Sequence, residues 1–241
     1  MRSVVLATCE GERFVGEQLD SIVRQLSIDD EIIVSDDAST DGTVAVIAAM
    51  GDKRIRVLSN TARVGYVHNF QRALNQVRGD NIYFADQDDV WLPGKVQTLD
   101  RALERKSCVT SDAVVVDECL REIHPSYFQW RRARDFSAWS ILLRPPIIGA
   151  TLACTRRYLD GLLPLPSRIP HDFWISFNAA WDGALEVVPT PLILYRRHAA
   201  AISPTATAYR RSTAVIASER LRLIGLMLGR RLPGTRHSWL S

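Results

Sequence analysis

Two groups of carboxylates stand out in this chain: Asp36-Asp37 with Asp41 close behind, and Asp86-Gln87-Asp88-Asp89. Each follows an apolar run, Ile32-Ile33-Val34 in the first case and Ile82-Tyr83-Phe84 in the second. Carboxylates crowded in this way repel one another unless a cation or hydrogen-bond donors compensate. A hard divalent ion, which needs oxygen ligands and bridges phosphates, is a natural partner. Read from the residues alone, the first group also suits a turn with helix-capping acids, and the second a solvated acidic turn. Asp172 follows Pro170 and precedes an apolar stretch, so from the residues alone it reads as a helix cap. His198 reads from the residues alone as a strand-end histidine. Lys95 and Arg63 are phosphate neighbours or ordinary surface cations. Trp174 and Trp181, seven apart on one helical face, read as core.

The elements that must position these residues are legible in the first third. Residues 3–7 and 31–35 predict buried strands rich in Val and Ile. Between them Phe14, Leu19, Ile22, Val23 and Leu26 recur at helical spacing. A helix over 43–50, capped from Ser39-Thr40-Asp41, a strand over 55–58, a helix over 67–77 and a strand over 81–85 follow. Strands alternating with helices mean βαβ units and a parallel sheet. Open parallel sheets bind ligands at the carboxyl ends of their strands. Both acid groups fall at that edge, and this coincidence favours chemistry over two unrelated turns.

The second half is less regular. It predicts strands over 109–116 and 147–154, helices over 156–163 and 173–181, and short strands over 185–188 and 193–195. With no internal repeat and no low-complexity linker, residues 1–205 read as one α/β domain. Residues 1–110 form its nucleotide-binding half and 111–205 an acceptor-side half. Residues 206–241 form a basic helical tail.

Composition bounds the function. Hydrophobic residues make up 46% and charged residues 24%, ordinary for a soluble globular protein. A net charge of +3 is too mild to argue for nucleic acid. Cys9, Cys108, Cys119 and Cys154 lack metal-like spacing, and buried free thiols in a reducing cytoplasm fit them. The apolar start is too short for a signal peptide. No window approaches the roughly 18–20 apolar residues of a membrane span, so a soluble or peripheral protein is expected. From Tyr209 onward there are seven arginines and one acid, Glu219, which makes the tail +6 and leaves −3 for the rest. An apolar stretch over 214–228 with arginines at both ends suits an anionic membrane surface at the inner face of the plasma membrane, or a packing helix.

Taken together, the residues resemble family 2 glycosyltransferases of the GT-A fold, especially bacterial rhamnosyltransferase-like members. The resemblance covers roughly the first 200 residues. It is carried by Leu6-Ala7-Thr8-Cys9-Glu10-Gly11, Gln18-Leu19-Asp20-Ser21-Ile22, the 34–43 stretch around Asp36-Asp37, and Phe84-Ala85-Asp86-Gln87-Asp88-Asp89-Val90-Trp91. His171-Asp172-Phe173-Trp174 and Tyr195-Arg196-Arg197-His198 complete it. The resemblance implies a Rossmann-like mixed sheet flanked by helices, with a C-terminal helical tail. It implies that Thr8, Glu10, Asp36 and Asp37 hold the uracil or thymine base and ribose. Asp86 and Asp88 would lie on the donor diphosphate, with Asp88 binding Mg²⁺ or Mn²⁺ and His198 closing over the metal. Asp172 would be the general base of an inverting transfer.

The implied donor is dTDP-rhamnose or a UDP-hexose. The implied acceptor is a saccharide or lipid-linked saccharide in cell-surface polysaccharide synthesis. Two features depart from the pattern: His198-Ala199-Ala200-Ala201 lacks the Gly and Asn common after the histidine, and Cys9 replaces a usual aromatic. Both bear on the donor more than on the reaction class. Two other classes compete: a catalytically silent nucleotide-sugar-binding module and a sugar nucleotidyltransferase. Against the latter, Thr8-Cys9-Glu10-Gly11-Glu12-Arg13 makes a poor Gly-rich phosphate loop.

Overall fold

The computed structural model describes residues 1–198 and 213–230. Its first compact unit is Met1–His198. The boundary expected at 205/206 lies outside the described residues.

The amino-terminal half follows the apolar pattern closely. Strand β1 (Arg2–Thr8), helix α1 (Val15–Val23), strand β2 (Glu31–Asp36), helix α2 (Thr43–Ala49), strand β3 (Ile55–Ser59), helix α3 (Tyr66–Leu74) and strand β4 (Asn81–Asp86) succeed one another. All six residues of β2 are buried, as expected of a strand covered on both faces. The amphipathic α1 buries Val15, Leu19 and Ile22. After β4 come the short β5 (Val90–Trp91), α4 (Lys95–Leu103), β6 (Cys108–Asp117), β7 (Glu122–His124), α5 (Tyr127–Trp130) and α6 (Ala138–Leu143). A 3-10 turn (Gly149–Thr151), β8 (Leu152–Thr155), α7 (Arg156–Asp160), α8 (His171–Trp181) and β9 (Leu185–Arg197) complete the unit.

One mixed sheet holds all nine strands, in the order β3-β2-β1-β4-β8-β6-β9-β5 with β7 on β6. The β3-β2-β1-β4 half is parallel, while β8 runs antiparallel to both β4 and β6. Register matters more than order for the site. Asp36 lies opposite Thr8 and Asp86 opposite Ala7, so three strands end at one level. The chain reverses its direction of travel across the sheet at β1, which opens the usual ligand crevice of such folds.

Three expectations need correction. Residues 185–188 and 193–195 form one continuous strand, not two. Pro189 and Pro191 remove donors, and the strand absorbs them by shifting register against β6 around Asp112. Residues 147–154 are a strand only from Leu152; Gly149–Thr151 is the 3-10 turn. Trp174 is buried, its indole donating to the Leu162 carbonyl at 3.0 Å, whereas Trp181 is exposed and packs edge-on to Trp139.

The last described element, α9 (Thr213–Arg230), belongs to a second unit. Arg210, Arg211, Arg231 and Arg236 of the expected basic tail lie outside the described residues. No described helix is long and apolar enough to cross a membrane.

Candidate active site

At the end of β1 and β2 the backbone leaves the allowed strand region abruptly. Glu10 and Ala38, each two residues past its strand, have φ of 51° and 55°. Such left-handed turns cost energy in non-glycine residues and persist only where neighbours hold them. Here the Glu10 amide donates to Ser39 Oγ at 2.9 Å. Asp36 accepts from Thr8 Oγ1 (2.9 Å), Ser39 Oγ (2.6 Å) and the Ser39 amide (2.9 Å). Asp37 accepts from the Val64 and Gly65 amides and from Asn60. Both carboxylates are buried and engaged by protein donors, so they brace the loops at 38–43 and 60–65. Glu10 remains partly exposed, bonded to Thr40 and paired with the exposed Arg63. Those donors hold its carboxyl below the ordinary range.

Asp86-Gln87-Asp88-Asp89 lies beside this frame. Gln87 clasps Cys9 twice, accepting from its amide at 2.8 Å and donating to its carbonyl at 3.0 Å. Gly11 must be glycine for this, because a Cβ there would collide with the Gln87 carboxamide. His198, at the far end of β9, brings Nε2 to 2.8 Å from Asp88 Oδ2. Phe14 of the β1–α1 loop packs against the His198 ring at 4.8 Å. Asp89 is buried; its Oδ1 accepts from the Arg196 amide at 3.0 Å, and its Oδ2 has no partner among the described residues.

Burial, with the charges of Asp88 and Asp172, pushes the Asp86 carboxyl up to about 7, and burial drives Asp89 well upward. Both carboxyls are thereby held towards the protonated form beside the buried Lys95. Lys95 is not the surface residue its type suggests. It is fully buried, donates to the Ala150 carbonyl at 2.6 Å and lies 4.1 Å over the Trp91 ring. Burial pulls its ammonium down to about 7 despite Asp89 and Asp86.

Asp172 is not a helix cap. Pro170 holds that position, and Asp172 sits in the first turn of α8 with Oδ1 accepting its neighbour's amide, that of Phe173, at 2.8 Å. It is half-buried and close enough to Asp86 to raise that carboxyl. His171 is buried between Phe70 (4.0 Å) and Phe84 (5.6 Å), and burial holds it towards the neutral form. Gly149 makes room for it, since a Cβ there would lie 2.6 Å from His171 Nε2.

Sequence reasoning missed Arg196. It is buried, and its amide donates to Asp89. Its Nε donates to the Asp88 carbonyl (2.7 Å), Nη1 to the Glu118 carbonyl (2.8 Å) and Nη2 to Glu17. One side chain therefore ties the acid loop, the end of β6 and α1 together. The strand expected over 193–195 stops just short of it, and nothing local marks an inward-facing cation.

The residues fit a divalent ion. One carboxylate oxygen, of Asp88, and one imidazole nitrogen, of His198, converge beside the carboxyls of Asp86 and Asp89. No group of three His, Cys, Asp or Glu among the described residues gathers to enclose an ion.

A parallel amino-terminal half continuing into a mixed sheet, with this loop at the end of β4, is the GT-A glycosyltransferase fold. S. aureus TarS in complex with UDP-GlcNAc shares it: TM-score 0.70, 17% identity, covering 98% of this chain and 73% of that one. So does the mannosyltransferase PcManGT from Pyrobaculum calidifontis in complex with GDP-Man and Mn²⁺: TM-score 0.64, 18% identity, 95% and 70%. The chain belongs to glycosyl transferase family 2, which matches residues 3–182. An uncharacterized protein of Mycobacterium tuberculosis is 28% identical over 219 residues, 87% of this chain, and the chain spans 62% of that relative's length. The dTDP-rhamnosyl transferase RfbG of Shigella flexneri is 32% identical over 118 residues, 45% of this chain and 41% of RfbG.

Proposed function

We propose that the protein is an inverting, divalent-metal-dependent hexosyltransferase. It moves a sugar from dTDP-rhamnose or a UDP-hexose to a saccharide or lipid-linked saccharide in cell-surface polysaccharide synthesis. The observation that carries this reading is the convergence of Asp88 and His198 beside Asp86, with Asp172 close to the same cluster.

Thr8, Glu10, Asp36 and Asp37 frame the base and ribose: Glu10 by contact, the two aspartates by bracing the loops around the slot. Asp86 and Asp88 lie along the donor diphosphate. Asp88 and His198 would hold a Mg²⁺ or Mn²⁺ ion, which when bound would supply positive charge to the leaving diphosphate. Asp172 accepts the proton of the incoming hydroxyl as it attacks the anomeric carbon, a role that needs an ionised carboxylate within hydrogen-bond reach. Its Oδ2 is free for this among the described residues. Attack from the face opposite the leaving group inverts the anomeric configuration, so dTDP-β-L-rhamnose would yield an α-rhamnoside.

The dTDP-rhamnosyl relative and the rhamnosyltransferase-like 84–91 and 195–198 segments support dTDP-rhamnose. Calorimetric titration of UDP-sugars and dTDP-rhamnose with Mn²⁺ tests the choice, and binding of a UDP-sugar but not dTDP-rhamnose decides against rhamnose. Release of a nucleoside diphosphate with a new glycoside supports transfer; pyrophosphate release would overturn it in favour of nucleotidyl transfer.

Peripheral attachment to an anionic membrane surface completes the reading. Leu221 and Ile224 of α9 are exposed and stand among arginines, each worth about 1 kcal/mol near such a surface. Salt-sensitive co-sedimentation with anionic liposomes is expected of the full chain but not of a chain ending before Tyr209. Equal partitioning of the two would contradict it.

A further inference from the structure

We propose that an arginine-lined cavity between α5 and α6 binds a phosphate or diphosphate group carried by the acceptor. The assignment to the acceptor rests on the reading of Asp172 as the base that meets it.

The cavity has a volume of about 150 Å³, and its walls include Arg131, Arg132, Arg134, Arg144, Asp135 and Pro146. Local structure gathers three of these arginines. Arg131 closes α5, Arg132 turns back at φ 54°, and the Ala133 amide returns to the Phe128 carbonyl at 2.8 Å. Arg144 arrives from the end of α6.

Among the described residues, nine other arginines are seen to hold a carboxylate. Among the described residues these four hold none. Asp135, the acid in the wall, is turned instead to Ser137, accepting from its amide at 2.9 Å and its hydroxyl at 2.5 Å. Arg131 Nε is buried without a hydrogen-bond partner among the described residues. Buried donors left unmade and like charges left together are both costly, and one anion with several acceptor oxygens satisfies them. Guanidinium groups match phosphate with paired N–H donors. The volume suits a head group; pockets for whole drug-sized ligands are about 300–1,000 Å³.

Position ties the cavity to the acceptor. Pro146 in its wall is three residues from Gly149, a span of at most about 11 Å. The Cβ position of Gly149 lies 3.6 Å from the Asp172 Cβ. Tyr127, one helical turn before Arg131, is within electrostatic reach of Arg131, Arg197 and Asp172 together. A sugar whose hydroxyl meets Asp172 and whose phosphate meets the arginines bridges that interval.

Calorimetric titration in EDTA tests this with inorganic phosphate, inorganic pyrophosphate and geranyl diphosphate as probes. Arg132 and Arg144 are exposed, so Arg132→Gln/Arg144→Gln removes charge without removing packing; Arg144→Gln alone is a second variant, and matching melting curves establish that both fold. Wild type is expected to bind a probe, and the double variant to bind it at least about tenfold more weakly, as loss of charge-assisted hydrogen bonds requires. Geranyl diphosphate binding at least as tightly as pyrophosphate identifies a lipid-linked diphosphate. Inorganic phosphate or pyrophosphate binding with geranyl diphosphate excluded identifies a soluble phosphorylated acceptor. No binding by wild type, or equal binding by the variants, overturns the proposal. UDP and dTDP titrations with Mn²⁺ run alongside: their failure would remove the glycosyltransferase reading, while the EDTA result judges the cavity by itself.

Discussion

His198 Nε2 lies 2.8 Å from Asp88 Oδ2, although 110 residues separate the two. The contact depends on Arg196, which fastens β9 to the backbone of Asp88 and the side chain of Asp89. If this pair holds the metal, His198→Ala should weaken Mn²⁺ binding in the presence of UDP. Arg196→Lys, which touches only the support, should weaken it by about 10- to 100-fold, the usual effect of losing an outer-shell partner. Electron paramagnetic resonance of free Mn²⁺ reads both. Unchanged affinity in His198→Ala would remove the histidine from the metal site.

Asp172→Asn should cut turnover by about 10²–10⁴ and leave donor affinity nearly unchanged, since a base acts on the incoming hydroxyl alone. Retained turnover with altered stability would make Asp172 structural.

The acid cluster predicts a pH signature in the metal-free protein. Asp86 is pushed from 3.8 to about 7, so its contribution to stability is full below about pH 4 and is lost as pH rises through 7. Asp86→Asn should therefore gain on wild type between pH 5 and 8 in EDTA, on the order of 2–4 kcal/mol by the high-pH end. Mn²⁺ should narrow the gap by offsetting the carboxylate. Chemical denaturation across pH measures it, and a pH-independent difference would contradict it.

Gly11→Ala should displace the Gln87 carboxamide that clasps Cys9. Overpacking of this kind costs about 1–3 kcal/mol. Each kcal/mol lowers the melting temperature of a chain this size by about 2–4 °C. A variant melting with wild type would mean that Gln87 moves freely.

The parallel half was legible because its signals are local: apolar runs give β1, β2 and β4, and register puts their terminal acids at one edge. The second half was less so. Pro189 and Pro191 masked a continuous β9, and α4 carries its buried face partly on Lys95, a residue type that rarely signals burial. The site divides similarly. Asp36, Asp86 and Asp88 announce themselves by crowding, and the motif resemblance singled out Asp172 and His198. Arg196, Gln87 and Lys95 do their work through partners distant in sequence, and the arginines of the α5–α6 cavity come together only in the fold.

The central claim is metal-assisted transfer at Asp88. It is tested most directly by measuring nucleoside diphosphate release and sugar transfer from UDP- and dTDP-sugars. Wild type is compared with Asp88→Ala, in Mn²⁺, in EDTA, and after Mn²⁺ is restored. The account predicts activity that EDTA abolishes and Mn²⁺ restores in wild type, and none under any condition in Asp88→Ala. Full activity in EDTA with no metal carried over, or an active Asp88→Ala, would contradict it.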